Sequence, residues 1–420
     1  MVESNWFLLC FLLLYAAQNA FNIWLDRLNQ VYSEQRSGSA PAGFEEFIDK
    51  SKLAQTARYE RAKTGTGIVE EIVSEAILLA ILLSGFLPIL VRLSGRMGLS
   101  MVPAGLFFFF VPGLILFLVE LPFDYYKTFV VEEKFGFNKS TLKLWIVDHI
   151  KGGFVGTCLF AAVFSLLLLF IEWSPRLWWL WGFLLLSAVQ LVMAILYPVL
   201  LAPLFNKFEP VRDDELAAKI RAEMEKSGIR VKKILQMNAG IRSRHTNAYF
   251  TGIGKTKQIV LFDTLIEAHT HEEILAVLAH EAGHFRKKHV PKQLVLFAGF
   301  SLAAFYATWL FIKWPLLFST FGFSTMPPYV GLFLAWVFWS KAGFFLQPLY
   351  MAISRRFERQ ADMFAAGMVG SGEAMAKALK RIAADNLSNL NPHPLYVRFH
   401  YSHPPVVQRV AALERSAGIS

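Results

Sequence analysis

The sequence predicts a mainly α-helical, polytopic membrane protein that also carries an α+β domain on one side of the membrane. Hydrophobic residues make up 55% of the 420 residues and charged residues only 18%, and the mean hydropathy is +0.42. The apolar residues are gathered in seven long segments, and the stretch 202–291 between the fifth and the sixth is mixed and polar. A bilayer explains this composition better than a set of soluble domains does.

Each of the seven segments is long enough, or nearly so, for the roughly 20 residues that a helix needs to cross the hydrocarbon layer. The first follows Glu3 instead of a basic residue and is too long for a signal peptide, so we interpret it as a retained span. The segments cover residues 6–25, 68–91, 101–121, 154–171, 178–201, 294–312 and 329–353.

Lysine and arginine predict the orientation of these spans. Of the 42 basic residues, 36 lie in the connections after spans 1, 3 and 5 and in the tail after span 7, whereas four lie in the alternate connections. Because cytoplasmic connections are enriched in basic residues, we expect the N-terminus outside and both 202–291 and the C-terminus in the cytoplasm. This bias accounts for the formal charge of +10, so nucleic acid is not an expected partner. Cys10 and Cys158 lie in separate apolar segments and form neither a disulfide framework nor a cysteine-based metal site.

Two helices are predicted in the polar stretch. Residues 213–229 carry acidic residues early, apolar residues at helical spacing and Gly228 near their end, which indicates an amphipathic helix. Thr270 and Glu273 have the spacing of a capping box, in which each side chain bonds the backbone of the other residue at a helix start. A second helix should therefore begin at about residue 270.

Short strands are predicted between these helices. Residues 232–238 and 247–262 have the composition of strands joined by glycine turns. The run Gly-Lys-Thr at 254–256 resembles the end of a phosphate-binding loop, but Tyr249 stands where that loop requires glycine. We therefore predict a hairpin turn there.

The second helix carries the pattern His-Glu-x-x-His in the stretch LAHEAGHFRKKH, residues 278–289. His280 and His284 are four residues apart and share one helix face, with Glu281 beside the first, so the two imidazoles can bind one metal ion. A structural metal site, or histidines that only form hydrogen bonds, would be the alternative. Closed structural zinc sites usually use cysteine, whereas hydrolytic sites use three protein ligands and leave one position for water.

A third ligand is expected in SRRFERQADMFA, residues 354–365, which follows span 7 on the same side of the membrane. Glu358 and Asp362 lie one helical turn apart on one face. Glu358 can complete the metal site, and Asp362 can accept a hydrogen bond from a ligating imidazole and so fix its tautomer. Alternatively, this is a solvated helix end whose carboxylates pair with the neighbouring Arg355, Arg356 and Arg359.

These motifs resemble those of the type I CAAX prenyl proteases, integral-membrane zinc metalloproteases of the gluzincin group. The resemblance covers HEAGH at 280–284 and most of the chain in order. It includes TFVVEEKFGFNKST (128–141), SRHTNAYFTG (243–252), IVLFDTLI (259–266), FERQAD (357–362) and HYSHPP (400–405). It implies seven transmembrane helices arranged as a barrel around a water-filled chamber, with the zinc domain on the cytosolic side.

The resemblance also implies roles for single residues. His280, His284 and Glu358 would bind one Zn²⁺ per chain, and Glu281 would be the catalytic glutamate that takes a proton from a metal-activated water. Two further positions match, Asn247 in the NAYF motif and His403 in the YSHPP motif. Both would contact the substrate backbone or stabilise the reaction intermediate, His403 as an oxyanion donor. From its own context Asn247 could equally be a plain turn or strand residue, and His403 a loop histidine.

The expected protein is therefore a zinc endopeptidase that acts on membrane-associated or C-terminally prenylated peptides, in contact with membrane lipids. It would reside in a bacterial inner membrane or in the endoplasmic reticulum. The alternatives are a membrane quality-control protease of the heat-shock type, which has fewer spans, and a non-catalytic transporter or scaffold. We divide the chain into spans 1 to 5 (1–201), the protease region with the histidine pair (202–291), spans 6 and 7 (292–353), and the C-terminal protease part with the third ligand (354–420).

Overall fold

A computed structural model describes residues 2–252, 256–370 and 372–416 of the chain, which form mostly α-helix with one small sheet. In the N-terminal half the helices are α1 (Trp6–Gln35), α2 (Lys50–Leu83), α3 (Phe86–Arg96), α4 (Met101–Tyr126), α5 (Leu142–Trp173), α6 (Trp178–Leu196), α7 (Ala202–Phe205) and α8 (Asp214–Lys226). In the C-terminal half they are α9 (Asp263–Ala268), α10 (His271–Arg286), α11 (His289–Phe311), α12 (Pro315–Thr320), α13 (Pro328–Phe344), α14 (Gln347–Met368), α15 (Glu373–Asp385), α16 (Pro394–His400) and α17 (Val406–Ser416).

The seven predicted segments all lie on long apolar helices, which confirms a multi-pass membrane protein. Among the described residues, α1, α4, α5, α6 and α11 are each long and apolar enough to cross a membrane, with α4 and α6 extended by short π-helical turns. Two bent pairs, α2 with α3 and α13 with α14, bring the number of candidate spans to as many as seven. The two pairs bend by 56° and 58°.

Each bend has a local cause. Gly85 stands between α2 and α3 with φ of +79°, a backbone conformation that glycine adopts without a steric penalty. Pro348 lies in the first turn of α14, where its missing N–H costs no helical hydrogen bond but prevents continuation from α13.

Several helices extend well beyond their apolar segments. The first continues to Gln35, and α2 begins at Lys50, so most of the connection predicted at 26–67 is helical. The sequence between Lys50 and the apolar part of α2 is rich in lysine, arginine and alanine, all of which favour helix. Hydropathy detected only the apolar part of each helix.

Several of the membrane helices pack against one another through an aromatic cluster. Phe108 of α4, Phe164 of α5 and Phe333 of α13 are buried together there. Gly105 of α4 permits the close approach, because a Cβ atom at this position would lie 2.5 Å from the Leu168 side chain. Small residues commonly occupy such helix crossings in membranes.

A partly buried ion pair also joins three of the membrane helices. Lys341 of α13 is only 5% exposed, and its Nζ lies 2.5 Å from Glu75 Oε1 of α2. The hydroxyl of Tyr15 in α1 donates to the Glu75 backbone oxygen at 2.8 Å and also contacts its carboxylate. Charged groups inside a membrane protein are costly unless paired, so this cluster holds α1, α2 and α13 in register.

The sheet lies in the polar part of the chain. Its strands are β1 (Phe208–Pro210), β2 (Arg230–Met237), β3 (Ala248–Thr251) and β4 (Thr256–Phe262), in the order β1-β2-β4-β3. The strands β2 and β4 are parallel, and the other neighbours are antiparallel.

The predicted strands and the predicted helix at 213–229 are confirmed by β2, β3, β4 and α8. Of the turn predicted at 254–256, the glycine and the lysine lie outside the described residues. Helices α8 and α10 pack on the sheet through a core that includes Leu216, Ile259 and Leu278. The last strand of the sheet, β3, lies beside α10.

We expect the Lys341→Met variant to be less stable by about 1 to 3 kcal/mol, because it leaves the partly buried Glu75 carboxylate without its cation. The measurement is thermal unfolding of the full chain in detergent. Replacing both partners, with Lys341→Met and Glu75→Gln together, should recover most of the loss. A single variant as stable as the parent would contradict the role of this pair.

Candidate metal centre

The helix that carries the histidine pair starts where the sequence predicts. The Thr270 hydroxyl accepts a hydrogen bond from the Glu273 backbone amide at 3.3 Å, and the Glu273 carboxylate accepts one from the Thr270 amide at 2.9 Å. The predicted capping box is therefore confirmed. The apolar face of α10, with Ile274 and Leu278, is buried against the sheet. The opposite side of the helix faces α14.

Helices α10 and α14 cross with their backbones close together. A Cβ atom at Gly283 would lie 2.9 Å from the Ala361 Cα and 3.1 Å from its carbonyl oxygen, closer than any larger residue could tolerate. This contact sets the distance between the two helices at the level of the histidines.

Three potential ligand side chains converge at this crossing. His280 Nε2 and His284 Nε2 are 3.1 Å apart. Each lies 3.3 Å from an oxygen of Glu358, Oε2 for His280 and Oε1 for His284. In the described part of the chain these residues form the group able to hold a metal ion.

The donor set fits a catalytic metal site. Bonds of about 2.0 to 2.1 Å in a tetrahedral zinc site place neighbouring ligand atoms about 3.3 Å apart, which matches the three distances. Two imidazoles and one carboxylate also leave one of four positions for water. The alternative, a solvated helix end paired with arginines, does not hold for Glu358, which is 5% exposed and faces histidines. Of the arginines, Arg355 donates to backbone carbonyl oxygens instead.

Asp362 lies behind the first histidine. Its Oδ1 is 2.8 Å from His280 Nδ1, the nitrogen that points away from the other two ligands. Arg409 of α17 donates to both oxygens of the same carboxylate, at 2.8 Å and 2.6 Å. Asp362 is buried one helical turn from Glu358. The arginine supplies the positive charge that compensates the Asp362 carboxylate there.

The site changes the proton affinity of two residues on α10. Burial lowers the pKa of His280, but the hydrogen bonds to Asp362 and Glu358 outweigh it and raise the pKa to about 9. Burial raises the pKa of the Glu281 carboxyl, and the nearby imidazoles of His280 and His284 oppose this shift only in part. A carboxylate with a raised pKa is better able to accept and return a proton near neutral pH.

The structure brings His403 into the same group, whereas the side-chain contact of Asn247 is local to the start of β3. His403 follows α16, its side chain is 58% exposed, and its Nδ1 lies 2.6 Å from Glu358 Oε2. Asn247 stands directly before β3, and its side-chain oxygen accepts a hydrogen bond from the Ala248 amide at 2.8 Å. That bond uses the Asn247 oxygen locally, at the start of the strand that flanks α10.

Three residues around the centre were not identified from the sequence: Arg409, His289 and Gln360. Arg409 is distant along the chain from the motifs it supports. His289 Nδ1 lies 3.2 Å from His284 Nδ1, and its Nε2 lies 2.9 Å from Gln360 Oε1. The stretch containing His289 is basic and histidine-rich, which could have drawn attention to it, but helical spacing does not place it on the site.

The chain combines an apolar helical bundle, a small sheet and a cluster of two imidazoles and one carboxylate. Together these features define the class of protein, a multi-pass membrane metalloprotease. Two family descriptions match the chain, "CAAX prenyl protease N-terminal, five membrane helices" over residues 29–207 and "Peptidase family M48" over residues 210–417.

Similar proteins cover nearly the whole chain. "CAAX prenyl protease 1" of Saccharomyces cerevisiae is 32% identical over 95% of this chain and 93% of its own length. The Arabidopsis thaliana homologue is 36% identical over 87% of this chain and 88% of its own. The crystal structure of S. mikatae Ste24p aligns with a TM-score of 0.90 and 31% identity, over 96% of this chain and 99% of that one. The chain belongs to the CAAX prenyl proteases of peptidase family M48, which confirms the resemblance seen in the sequence.

We expect metal binding to release a proton, because the metal-free site holds one on His280 below pH of about 9 and the metal must displace it. The apparent affinity for Zn²⁺ should therefore rise about tenfold per pH unit between about pH 6 and 8. Competition titrations with a chelator of known affinity, corrected for the chelator's own protonation, measure this slope. An affinity that is flat over this range would contradict the protonated state of the free site.

Proposed function

We propose that this chain is a zinc-dependent endopeptidase that cleaves membrane-associated substrates with a prenylated, CAAX-type C-terminus. About one Zn²⁺ per chain would be held by His280, His284 and Glu358. The observation that carries the proposal is the triangle of two imidazole nitrogens and a carboxylate, 3.1 to 3.3 Å on each side. The relatives named CAAX prenyl protease support the substrate class.

The protein residues divide the work of hydrolysis. A zinc ion in this site supplies Lewis-acid chemistry, acidifying a water molecule and polarising a carbonyl group. Glu281 takes the proton of the attacking water and returns it to the departing amine, for which its raised pKa is suited. His403 donates a hydrogen bond to the oxyanion from the exposed side of the centre. Asp362 holds the His280 ring through Nδ1, so that Nε2 faces the centre.

The edge strand β3 offers a place for the substrate backbone. It pairs with β4 on one side and ends the sheet on the other, and an open edge can pair with an extended peptide. Asn247 stands at the start of this strand. We infer that it helps to hold the substrate backbone in register with the metal centre.

The membrane part would present the lipid-bearing end of the substrate. We infer seven spans around a water-filled chamber, counting each bent pair as one span, with the N-terminus outside and the protease regions, 202–291 and 354–420, in the cytoplasm. Regions 1–201 and 292–353 would carry the spans. The basic residues that predict this orientation lie on the same side as the metal centre. The membrane would be the endoplasmic reticulum or a bacterial inner membrane.

Cleavage of matched peptides tests the substrate class. The purified full chain is assayed with one CAAX peptide in prenylated and unprenylated form, in the same detergent. We expect zinc-dependent cleavage with a higher kcat/KM for the prenylated form. Equal cleavage of both forms, or better cleavage of unrelated membrane peptides, would overturn the substrate class while leaving the metalloprotease assignment intact.

We expect Glu281→Gln to lower kcat by at least about 100-fold, because an amide cannot take the proton of the attacking water, while the zinc content stays that of the parent. Zinc is measured by elemental analysis of the purified protein. Glu272→Gln is the matched control, since Glu272 is an exposed glutamate on the same helix, and it should behave as the parent. If Glu281→Gln and the parent are equally active, Glu281 is not the base.

We expect Glu358→Ala to lose most of its zinc, because it removes one of three ligands. Asp362→Asn should retain zinc with an affinity about 10- to 100-fold lower, since Asp362 acts through His280. Glu267→Ala, at an exposed position, serves as the control. Full zinc occupancy in Glu358→Ala would transfer the third-ligand role to another residue.

A further inference from the structure

The two histidines of the metal centre are supported by different kinds of partner. His280 faces the Asp362 carboxylate through Nδ1. His284 instead faces a third histidine, His289, with 3.2 Å between the two Nδ1 atoms. Ligating histidines usually donate their second N–H to a carboxylate, a carbonyl or water, so the partner of His284 needs its own explanation.

His289 is held rigidly in place. It is fully buried, with 0% of its surface exposed. Its ring stacks on Phe357 at 4.4 Å between centroids and 7° between planes. The chain reaches it through Lys288, whose φ of +56° breaks the helix between α10 and α11. This turn returns His289 to the metal centre, where regular helical geometry would have carried it past.

Gln360 completes the arrangement from the other ligand helix. It lies on α14 two residues after Glu358, and its Oε1 is 2.9 Å from His289 Nε2. An amide oxygen only accepts hydrogen bonds, so Nε2 of His289 carries the proton. In a neutral imidazole the other nitrogen, Nδ1, is then an acceptor.

The direction of these bonds determines the tautomer of His284. Since His289 Nδ1 accepts, His284 Nδ1 must donate, and the lone pair of His284 lies on Nε2, the atom that points towards His280 and Glu358. If Gln360 presented its NH₂ group instead, both bonds would reverse and the proton of His284 would sit on Nε2. That arrangement would block the ligand position.

We propose that Gln360 and His289 form a hydrogen-bond relay that fixes His284 in its metal-binding tautomer. His289 and Gln360 are positioning residues that act through His284. The inference rests on the proposed function in one respect, the role of His284 as a ligand. The relay supports His284 without adding a second carboxylate behind the ligands, so the centre carries less negative charge than two Asp-backed histidines would give it.

Two pairs of substitutions separate the relay from simple packing. His289→Phe keeps a ring to stack on Phe357 but has no acceptor, whereas His289→Asn places an amide oxygen near the position of Nδ1. Gln360→Met keeps the length of the side chain without an acceptor, whereas Gln360→Glu can only accept. The positive charges of Lys287, Arg356 and Arg359, which line a cavity of about 470 Å³ with Gln360, compensate the charge of the new glutamate.

The Zn²⁺ dissociation constant of the full chain in detergent is measured by chelator competition, and the visible spectrum of the Co²⁺-loaded protein reports on the ligand geometry. We expect His289→Phe and Gln360→Met to bind Zn²⁺ about 10- to 100-fold more weakly than the parent and to shift the Co²⁺ bands. His289→Asn and Gln360→Glu should recover most of the affinity and the parental spectrum. His271→Phe, a histidine at the far end of α10, is the control and should not change either readout.

Each outcome decides between the relay and another explanation. A packing role predicts the reverse order, with Phe and Met tolerated and Asn and Glu weakened, and that order would overturn the relay. Equal affinity in all four variants, or equal loss in all four, would overturn it as well. If the parent itself binds no Zn²⁺, the proposed function fails. If the parent binds Zn²⁺ and the variants do not differ from it, only the relay fails.

Discussion

The crossing of α10 and α14 at Gly283 and Ala361 is the constraint on which the metal centre depends. The histidines stand three residues before and one residue after Gly283, and Glu358 and Asp362 stand in the same relation to Ala361. With 3.6 residues per turn, each pair of side chains borders its crossing point on one helix face. Any side chain at position 283 would push against the Ala361 backbone and move all four groups apart together.

Charge is the second constraint, because the crossing buries several ionisable groups at once. Glu358 and Asp362 are 5% and 4% exposed, and two buried carboxylates one turn apart repel each other. Arg409 compensates one of them with two hydrogen bonds, which leaves Glu358 as the anion available to a cation at the centre. The same need for pairing recurs at Lys341 and Glu75 among the membrane helices, where the surroundings are still less able to solvate a charge.

The parts of this structure that could be predicted are those encoded by local periodicity. Apolar runs located the membrane helices, and the capping box at Thr270 located the start of α10. Spacing of four residues placed the two histidines on one face of α10, and Glu358 and Asp362 on one face of α14. The bends at Gly85 and Pro348 could not be read from hydropathy, because an apolar run is equally apolar before and after a bend. The extent of polar helix ends, such as the first part of α2, could not be read from hydropathy either, because hydropathy detects only the apolar part of a helix.

The supporting residues of the site could not be predicted because they depend on distances through space. Arg409 reaches Asp362 from α17, and no periodicity connects the two positions. His289 lies five residues after His284, a spacing that a continuous helix would place off the shared face. It reaches the site because Lys288 adopts a left-handed conformation, which is uncommon for a residue other than glycine.

The helices that carry the candidate metal centre are connected directly to the candidate membrane spans, and this connection positions the centre relative to those spans. The histidine helix α10 is followed after two residues by α11, a candidate span, and the Glu358 helix α14 is the second half of a bent candidate span. At about 1.5 Å per residue, Glu358 lies only a short distance beyond the apolar part that ends near residue 353. A centre mounted in this way has a fixed position relative to the apolar helices, because both helices that carry its side chains are continuous with candidate spans. A protease domain on a flexible linker would move relative to the membrane helices, whereas here two candidate spans hold the centre at one level of the helical bundle.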